Sequence, residues 1–181
     1  MPRSKKRRVL VGVTGSVAAY KTCSVVRGLA TMGYDVRVIP TADSLNFIGE
    51  IMWRALSGND VLTDLYHDKL TATPHIHYPQ DCRAFLIAPA TANTIGKIAN
   101  GVADNMLTAC AIATTAKLIV APAMNSKMYE SAANQANLQT LIERGVKIIG
   151  PDEGTLACGD EGKGRMSRVE QLIATVVDAC G

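Results

Sequence analysis

Five short runs of mostly apolar, β-branched residues recur along the chain, each followed by a polar turn and then a helical pattern. They are Val9 to Val13, Asp35 to Pro40, Ala84 to Ala88, Lys117 to Ala121 and Val146 to Gly150. Short connections between a strand and the helix that follows it force the next strand to run parallel to the first. The pattern therefore predicts a mostly parallel sheet with helices on both faces, and the near absence of polar residues inside the runs agrees with strands buried on both sides. In such a doubly wound sheet the ligand crevice lies past the carboxyl ends of the strands. The polar turns after the runs are thus the places to look for chemistry.

Helical patterns are read from about residue 16 to Met32, stopped by Gly33; from Phe47 to about Leu56; from Thr94 to about Ala99; from Asn105 to near Thr115; from Ser131 to Arg144, stopped by Gly145; and from Val169 to Cys180. Residues 61–73 show no clear period and read as an irregular connection. The segment 151–168 carries Gly154, Gly159, Gly162 and Gly164 without a hydrophobic period, and reads as a mobile flap that orders over a ligand. No internal repeat or low-complexity linker interrupts the chain, so one cooperative unit is expected.

Charge narrows the partners. Five of the nineteen Lys and Arg residues (Arg3, Lys5, Lys6, Arg7, Arg8) precede the first strand, so the formal charge of +3 becomes about −2 for the rest. Residues 1–8 read as a solvated basic tail and the body does not read as a nucleic-acid surface. No apolar run approaches the roughly 18 residues of a membrane span, and Gly15-Ser16 interrupts the first one too early for a signal-peptide core. A cytoplasmic protein without a membrane partner is expected. The five cysteines form no Cys-x-x-Cys pair, which argues against a disulfide framework or a zinc site. Cys23, Cys110 and Cys180 sit in helical patterns and read as structural thiols, whereas Cys158 lies in the Gly-rich flap.

The turns themselves are chemically selective. Thr14-Gly15-Ser16 at a helix start offers backbone N–H groups and a hydroxyl to a phosphate, but lacks the third glycine of a dinucleotide fingerprint. Thr41 and Ser44 open a second polar loop, and Pro89 to Thr94 a third with small side chains and hydroxyls. Asn125, in Pro-Ala-Met-Asn-Ser-Lys-Met-Tyr at 122–129, is placed either to meet a ligand or to cap a helix. His75 and His77, two apart, would share one face of a strand, but no third ligand is spaced to make a metal site with them. A single histidine acting as acid or base is the better reading.

Four of these motifs in this order (His75-Ile76, the loop 89–94, Pro-x-Met-Asn-x-x-Met at 122–128, and Ala157-Cys158-Gly159-Asp160-Glu161-Gly162-x-Gly164) resemble the flavin-containing cysteine decarboxylases. That family includes the phosphopantothenoylcysteine decarboxylases of coenzyme A synthesis and the enzymes that decarboxylate a C-terminal cysteine in peptide precursors. The resemblance runs from Val9 to about Val177. It implies one flavodoxin- or Rossmann-like α/β domain over 9–181 that binds FMN through Gly15, Ser16, Val17, Thr41, Ser44, Thr91, Ala92, Asn93, Thr94 and Ala123. It further implies His75 and Cys158 as catalytic residues, with Met124, Asn125 and Cys158 at the substrate, and no metal. Family members are homotrimers or assemblies of trimers, up to a dodecamer, with flavin and substrate at the subunit interface.

The chemistry suits these residue types. A cysteine carboxylate has no electron sink beside it; oxidation of the Cβ–S bond by the flavin makes a thioaldehyde into which CO2 can be lost, giving an enethiol. His75 would move protons around the thiol, Asn125 would orient the carboxylate, and the flap cysteine would protonate an enethiol that the reduced flavin saturates. A complete flap motif favours that full cycle and the coenzyme A substrate. His77-Tyr78-Pro79-Gln80-Asp81-Cys82 departs from the coenzyme A pattern, which leaves oxidative decarboxylation of a peptide's C-terminal cysteine as the alternative. A non-catalytic regulatory subunit of the same fold is the third reading, and it predicts loss of His75 or Cys158, both of which are present.

Overall fold

The computed structural model describes residues 7–156, 159 and 161–181. Its centre is a five-stranded parallel sheet of order β2-β1-β3-β4-β5, made by β1 (Arg8–Val13), β2 (Asp35–Pro40), β3 (Ala84–Ala90), β4 (Lys117–Pro122) and β5 (Lys147–Ile148). All seven residues of β3 are buried, as expected of a central strand covered on both sides.

Alternation along the strands sorts the side chains into two cores. Val9, Val11, Val13, Leu86 and Ile119 face one layer, formed by α1 (Ala19–Thr31), α2 (Glu50–Ser57) and α8 (Val169–Cys180), with Val25, Leu29, Trp53, Leu172 and Val176. Leu10, Phe85, Ile87, Leu118 and Val120 face the other, formed by α3 (Pro74–Gln80), α4 (Ala92–Ala99), α5 (Met106–Ala113) and α7 (Ala132–Glu143), with Tyr78, Ile95, Leu107 and Leu141. The sheet is doubly wound. The chain leaves β1 to make β2 on one side and returns to make β3 on the other, so the direction of winding reverses between β1 and β3.

Several boundaries differ from the sequence reading. The helix after β1 starts at Ala19, because residues 16–18 first form a tight turn in which Ala19 N donates to Ser16 O at 2.9 Å. A 3₁₀ turn (Ala42–Asn46) precedes α2, which opens only at Glu50. The fifth strand shrinks to two residues. Most consequential, His75 and His77 do not share a strand face: 74–80 is helix α3, opened by Pro74, whose fixed φ suits the first helical position. Two residues apart on a helix, the histidines point to well-separated sides.

The flap is also more regular than its composition suggests. β6 (Asp152–Thr155) and β7 (Glu161–Arg165) pair antiparallel as a hairpin. Neither strand presents a buried face to a core, which is why no hydrophobic period marks them. Instead the hairpin docks through its backbone: Met124 N donates to Gly164 O at 3.0 Å, and a Cβ at Gly164 would run into the carbonyl oxygen of Met124. A Cβ on Gly162 would come within 3.0 Å of the Ser126 Cβ. Gly162 and Gly164 are therefore small because the 122–129 segment lies against them.

Candidate active site

At the carboxyl edge of β1 and β3, Thr14 joins two of the sequence-marked loops. Its hydroxyl donates to Pro89 O at 2.7 Å and accepts from Thr91 N at 3.0 Å, while its own N–H reaches Pro89 O at 3.3 Å. Thr14 is 1% exposed. The third loop joins through Gly15, whose missing Cβ would lie 2.8 Å from the Cβ of Asp43, and through Thr41 N, which donates to Val13 O at 2.9 Å. Ser44 is buried and spends its hydroxyl on Thr41 O at 2.7 Å, which closes the 3₁₀ turn. Ala123 N donates to Ala90 O at 3.0 Å and so ties the 122–129 segment to the same edge.

Three helical N-termini open onto this edge, those of α1, the 3₁₀ turn and α4, and none is capped by its own side chain. Thr91, the N-cap residue of α4, turns its hydroxyl toward Thr94 Oγ1 at 3.5 Å instead. Ala92 is half-buried, Asn93 exposed and Thr94 buried. Uncapped N–H groups and the half-buried hydroxyl residues Ser16, Thr41 and Thr91 at these helix starts are what a phosphate ester requires, so the residues present fit the phosphate end of FMN.

Asn125 satisfies both readings of its position. It is the N-cap of α6 (Ser126–Glu130), with Oδ1 accepting from Lys127 N at 2.9 Å, and it also lines a cavity of about 590 Å³. Ser16, Val17, Ala123 and Met124 line the same cavity, so five sequence-marked residues come together there. Gly164 of the flap motif joins them, and the rest of the wall comes from the start of α1 (Ala18, Tyr20, Lys21) and the hairpin region (Thr155, Leu156, Arg165, Met166), which sequence reasoning had not singled out. Thr14, read from the sequence as part of a phosphate-binding turn, instead spends its hydroxyl on Pro89 O and Thr91 N, a clasp between loops that the sequence reading did not anticipate. Cys158 lies outside the described residues.

His75 does not line that cavity. It is half-buried on α3 with Nδ1 3.1 Å from Leu65 O; a carbonyl can only accept, so in the neutral ring Nδ1 carries the proton and Nε2 is the acceptor. His77 is exposed and sets its ring edge-on to Tyr78, 5.3 Å between centroids. Tyr78 is 1% exposed, with the guanidinium groups of Arg8 and Arg37 5.2 and 5.7 Å from its ring centre and its hydroxyl 3.2 Å from Asp68. Asp35 joins the two arginines at 3.0 and 3.1 Å, and Arg8 reaches Asp81 at 3.3 Å. The departure at 77–82 is thus an anchor for the helix that carries His75.

Burial raises the thiol pKa of Cys23, Cys82 and Cys180, and pushes Cys110 up to about 12. These four stay protonated, inert thiols. Among the described residues no group of three His, Cys, Asp or Glu side chains comes together to hold a metal, and no helix is long and apolar enough to cross a membrane.

Known proteins resemble this chain in sequence and fold. The coenzyme A biosynthesis bifunctional protein CoaBC of Mycobacterium tuberculosis is 40% identical over 166 residues, 92% of this chain and 40% of that protein. The chain thus spans about two-fifths of the length of the curated relatives it matches. Among solved structures, a PPC decarboxylase mutant complexed with pantothenoylaminoethenethiol superposes with a TM-score of 0.85 at 34% identity, covering 96% of this chain and 97% of that one. The FMN-dependent cysteine decarboxylase SpaF gives 0.83 at 30%, covering 97% and 98%. The Flavoprotein family model matches residues 2–181, and the chain belongs to that family.

Proposed function

We propose that this chain is a cytoplasmic, FMN-dependent enzyme that decarboxylates a cysteine-derived carboxylate, with 4′-phosphopantothenoylcysteine as its substrate. The observation that carries the reading is the meeting of Asn125, Met124 and the glycine-docked hairpin around one cavity, beside three uncapped helix starts fit for a flavin phosphate. Bound FMN would supply the two-electron acceptor that a cysteine carboxylate lacks.

The chain's own residues would do the rest. Lys127 N–H holds Asn125 Oδ1 and fixes the amide plane, and Nδ2, the amide's only donor, is the atom that would orient the carboxylate. A neutral amide orients without neutralising, so the carboxylate keeps the charge that drives loss of CO2. His75 Nε2 would take or return a proton at the substrate sulfur. Cys158 is proposed, from the flap motif, as the proton donor that completes the cycle.

Because His75 lies off the cavity wall in one chain, the complete site is proposed to form between subunits of a homotrimer. Exposed apolar side chains flank it in sequence, with Ile51 83%, Tyr66 70% and Leu70 69% exposed, alongside Phe47, Met52 and Ile76. Such a concentration favours burial against another copy. The peptide substrate remains the second reading, since SpaF is a cysteine decarboxylase of the same fold.

Mass spectrometry of the purified protein, incubated separately with phosphopantothenoylcysteine and with a short peptide ending in cysteine, tests the proposal. Loss of CO2 alone from the small molecule supports it. Loss of CO2 and two hydrogens from the peptide alone would shift the assignment to peptide modification. No change in either, in a colourless protein, would overturn the enzyme reading.

A further inference from the structure

His75 takes its orientation from a piece of chain that no ladder holds. Leu65 O, the acceptor 3.1 Å from His75 Nδ1, lies in the irregular connection 61–73. Leu62 N donates to Val38 O at 3.0 Å near its start, but among the described residues no backbone-to-backbone bond ties 63–72 to another element. The turn around Leu65 is shaped by a side chain instead. Asp64 Oδ1 accepts from Tyr66 N at 2.7 Å and from His67 N at 3.1 Å. A turn of this kind fixes its own shape but not its distance from α3.

A second contact sets that distance. His75 and Tyr78 are three apart on α3 and so share a face. Leu65 and Asp68 are likewise three apart on the connection, and Tyr78 Oη donates between the two Asp68 oxygens, 3.2 Å from each. Asp68 Oδ1 also accepts from Leu70 N at 2.9 Å, which holds the carboxylate in its own turn. The bonds from 75 to 65 and from 78 to 68 therefore join the same two pieces of chain side by side. The Tyr78 ring, buried between the Arg8 and Arg37 guanidinium groups, ties the pair to β1 and β2. Burial, and then Asp68, raise the Tyr78 pKa, so its hydroxyl stays a donor. We propose that Tyr78 and Asp68 are positioning residues for His75: their bond keeps Leu65 O against Nδ1, holds the neutral imidazole in its Nδ1–H form, and so keeps Nε2 open to accept a proton. Which ring nitrogen carries the proton is set by the bond the other groups offer it, and without Leu65 O in place the proton is shared between the two. The proposal rests on the decarboxylase reading for what His75 does, but not for the state of its ring.

Nitrogen-15 NMR of the flavin-loaded protein with labelled histidine reads that state without turnover, at a pH well above the ordinary imidazole value of about 6.5. The His75 signals are those that vanish in His75→Gln. The wild type is expected to show Nδ1 protonated and Nε2 bare. Tyr78→Phe keeps the ring between the arginines and removes only the hydroxyl; it and Asp68→Ala should each lower the ratio of Nδ1–H to Nε2–H forms about three- to tenfold, the span of one hydrogen bond. Asp68→Asn, which keeps an accepting oxygen, should restore most of the ratio. In turnover of phosphopantothenoylcysteine, kcat should fall in step with the ratio while KM stays within about twofold. Val176→Ala, in the opposite layer, lowers stability by opening the core and should leave the ring unchanged. A wild-type ring protonated on Nε2, a ratio unmoved in both Tyr78→Phe and Asp68→Ala, or an equal shift in Val176→Ala overturns the proposal. If the decarboxylase reading alone is wrong, the ring state still follows Tyr78 and Asp68 while no substrate is turned over.

Discussion

The strand edge around Thr14 and the arm that carries His75 are held by different physics. The edge is neutral: buried and half-buried hydroxyl and backbone groups bond one another across the strand ends. The arm, residues 61–80, is held by an aromatic ring between two arginines, by Asp68 on the Tyr78 hydroxyl, and by exposed Asx-type turns such as Asp64 Oδ1 accepting from Tyr66 N at 2.7 Å. Neutral buried bonds are insensitive to salt and pH, whereas ion pairs and carboxylate caps are not. A cofactor platform gains from the first kind of support. A histidine proposed to meet a second subunit is better carried on an element that can adjust.

Substitutions at each region should behave accordingly. Thr14→Val, nearly isosteric, leaves a part-buried Thr91 N–H without its partner and removes a bond to Pro89 O; a global loss of about 1–3 kcal/mol is expected, read as a fall in Tm that does not vary with salt. A normal Tm would show that the loops are held by something else. Gly164→Ala pushes a methyl against the Met124 carbonyl and should cost about 1–3 kcal/mol, with loss of hairpin protection in hydrogen exchange.

Tyr78→Phe removes the bond to Asp68 and should cost about 1 kcal/mol, confined to exchange of 64–78 and leaving 84–90 untouched. Uniform exposure of both regions would erase the contrast. The smallest effect is on pH. Burial, and then Asp68, raise the Tyr78 pKa, so its share of stability is complete below the ordinary tyrosine value of about 10 and is lost as pH rises through the higher folded value. The Tyr66 N–H lowers the Asp64 pKa, so that turn is intact above the ordinary carboxylate value and loosens as pH falls through the depressed one. Hydrogen exchange at both extremes should open the arm before the edge.

The same contrast explains what could be read from the sequence. β1, β3 and β4 announce themselves because burial on both faces demands unbroken apolar runs, and the polar turns after them mark the edge. α3 reads ambiguously because seven residues with a proline near each end carry no full helical period, and the Tyr78 stack that fixes it comes from Arg8 and Arg37, far away in the chain. The hairpin hides for the opposite reason: its contacts are backbone to backbone at Gly162 and Gly164, which hydrophobic patterns do not record. Lys21 and Arg165 read as ordinary surface charges until α1 and β7 are seen to share a cavity.

The central claim is that edge and arm, apart in one chain, form one decarboxylase site between chains. Mixing an Asn125→Ala variant with a His75→Ala variant, each inactive alone, and assaying phosphopantothenoylcysteine decarboxylation after the subunits exchange tests this directly. The account predicts that activity returns, because some interfaces then pair an intact Asn125 with an intact His75 from a neighbour. Mixed oligomers verified by native mass spectrometry that stay inactive would contradict it.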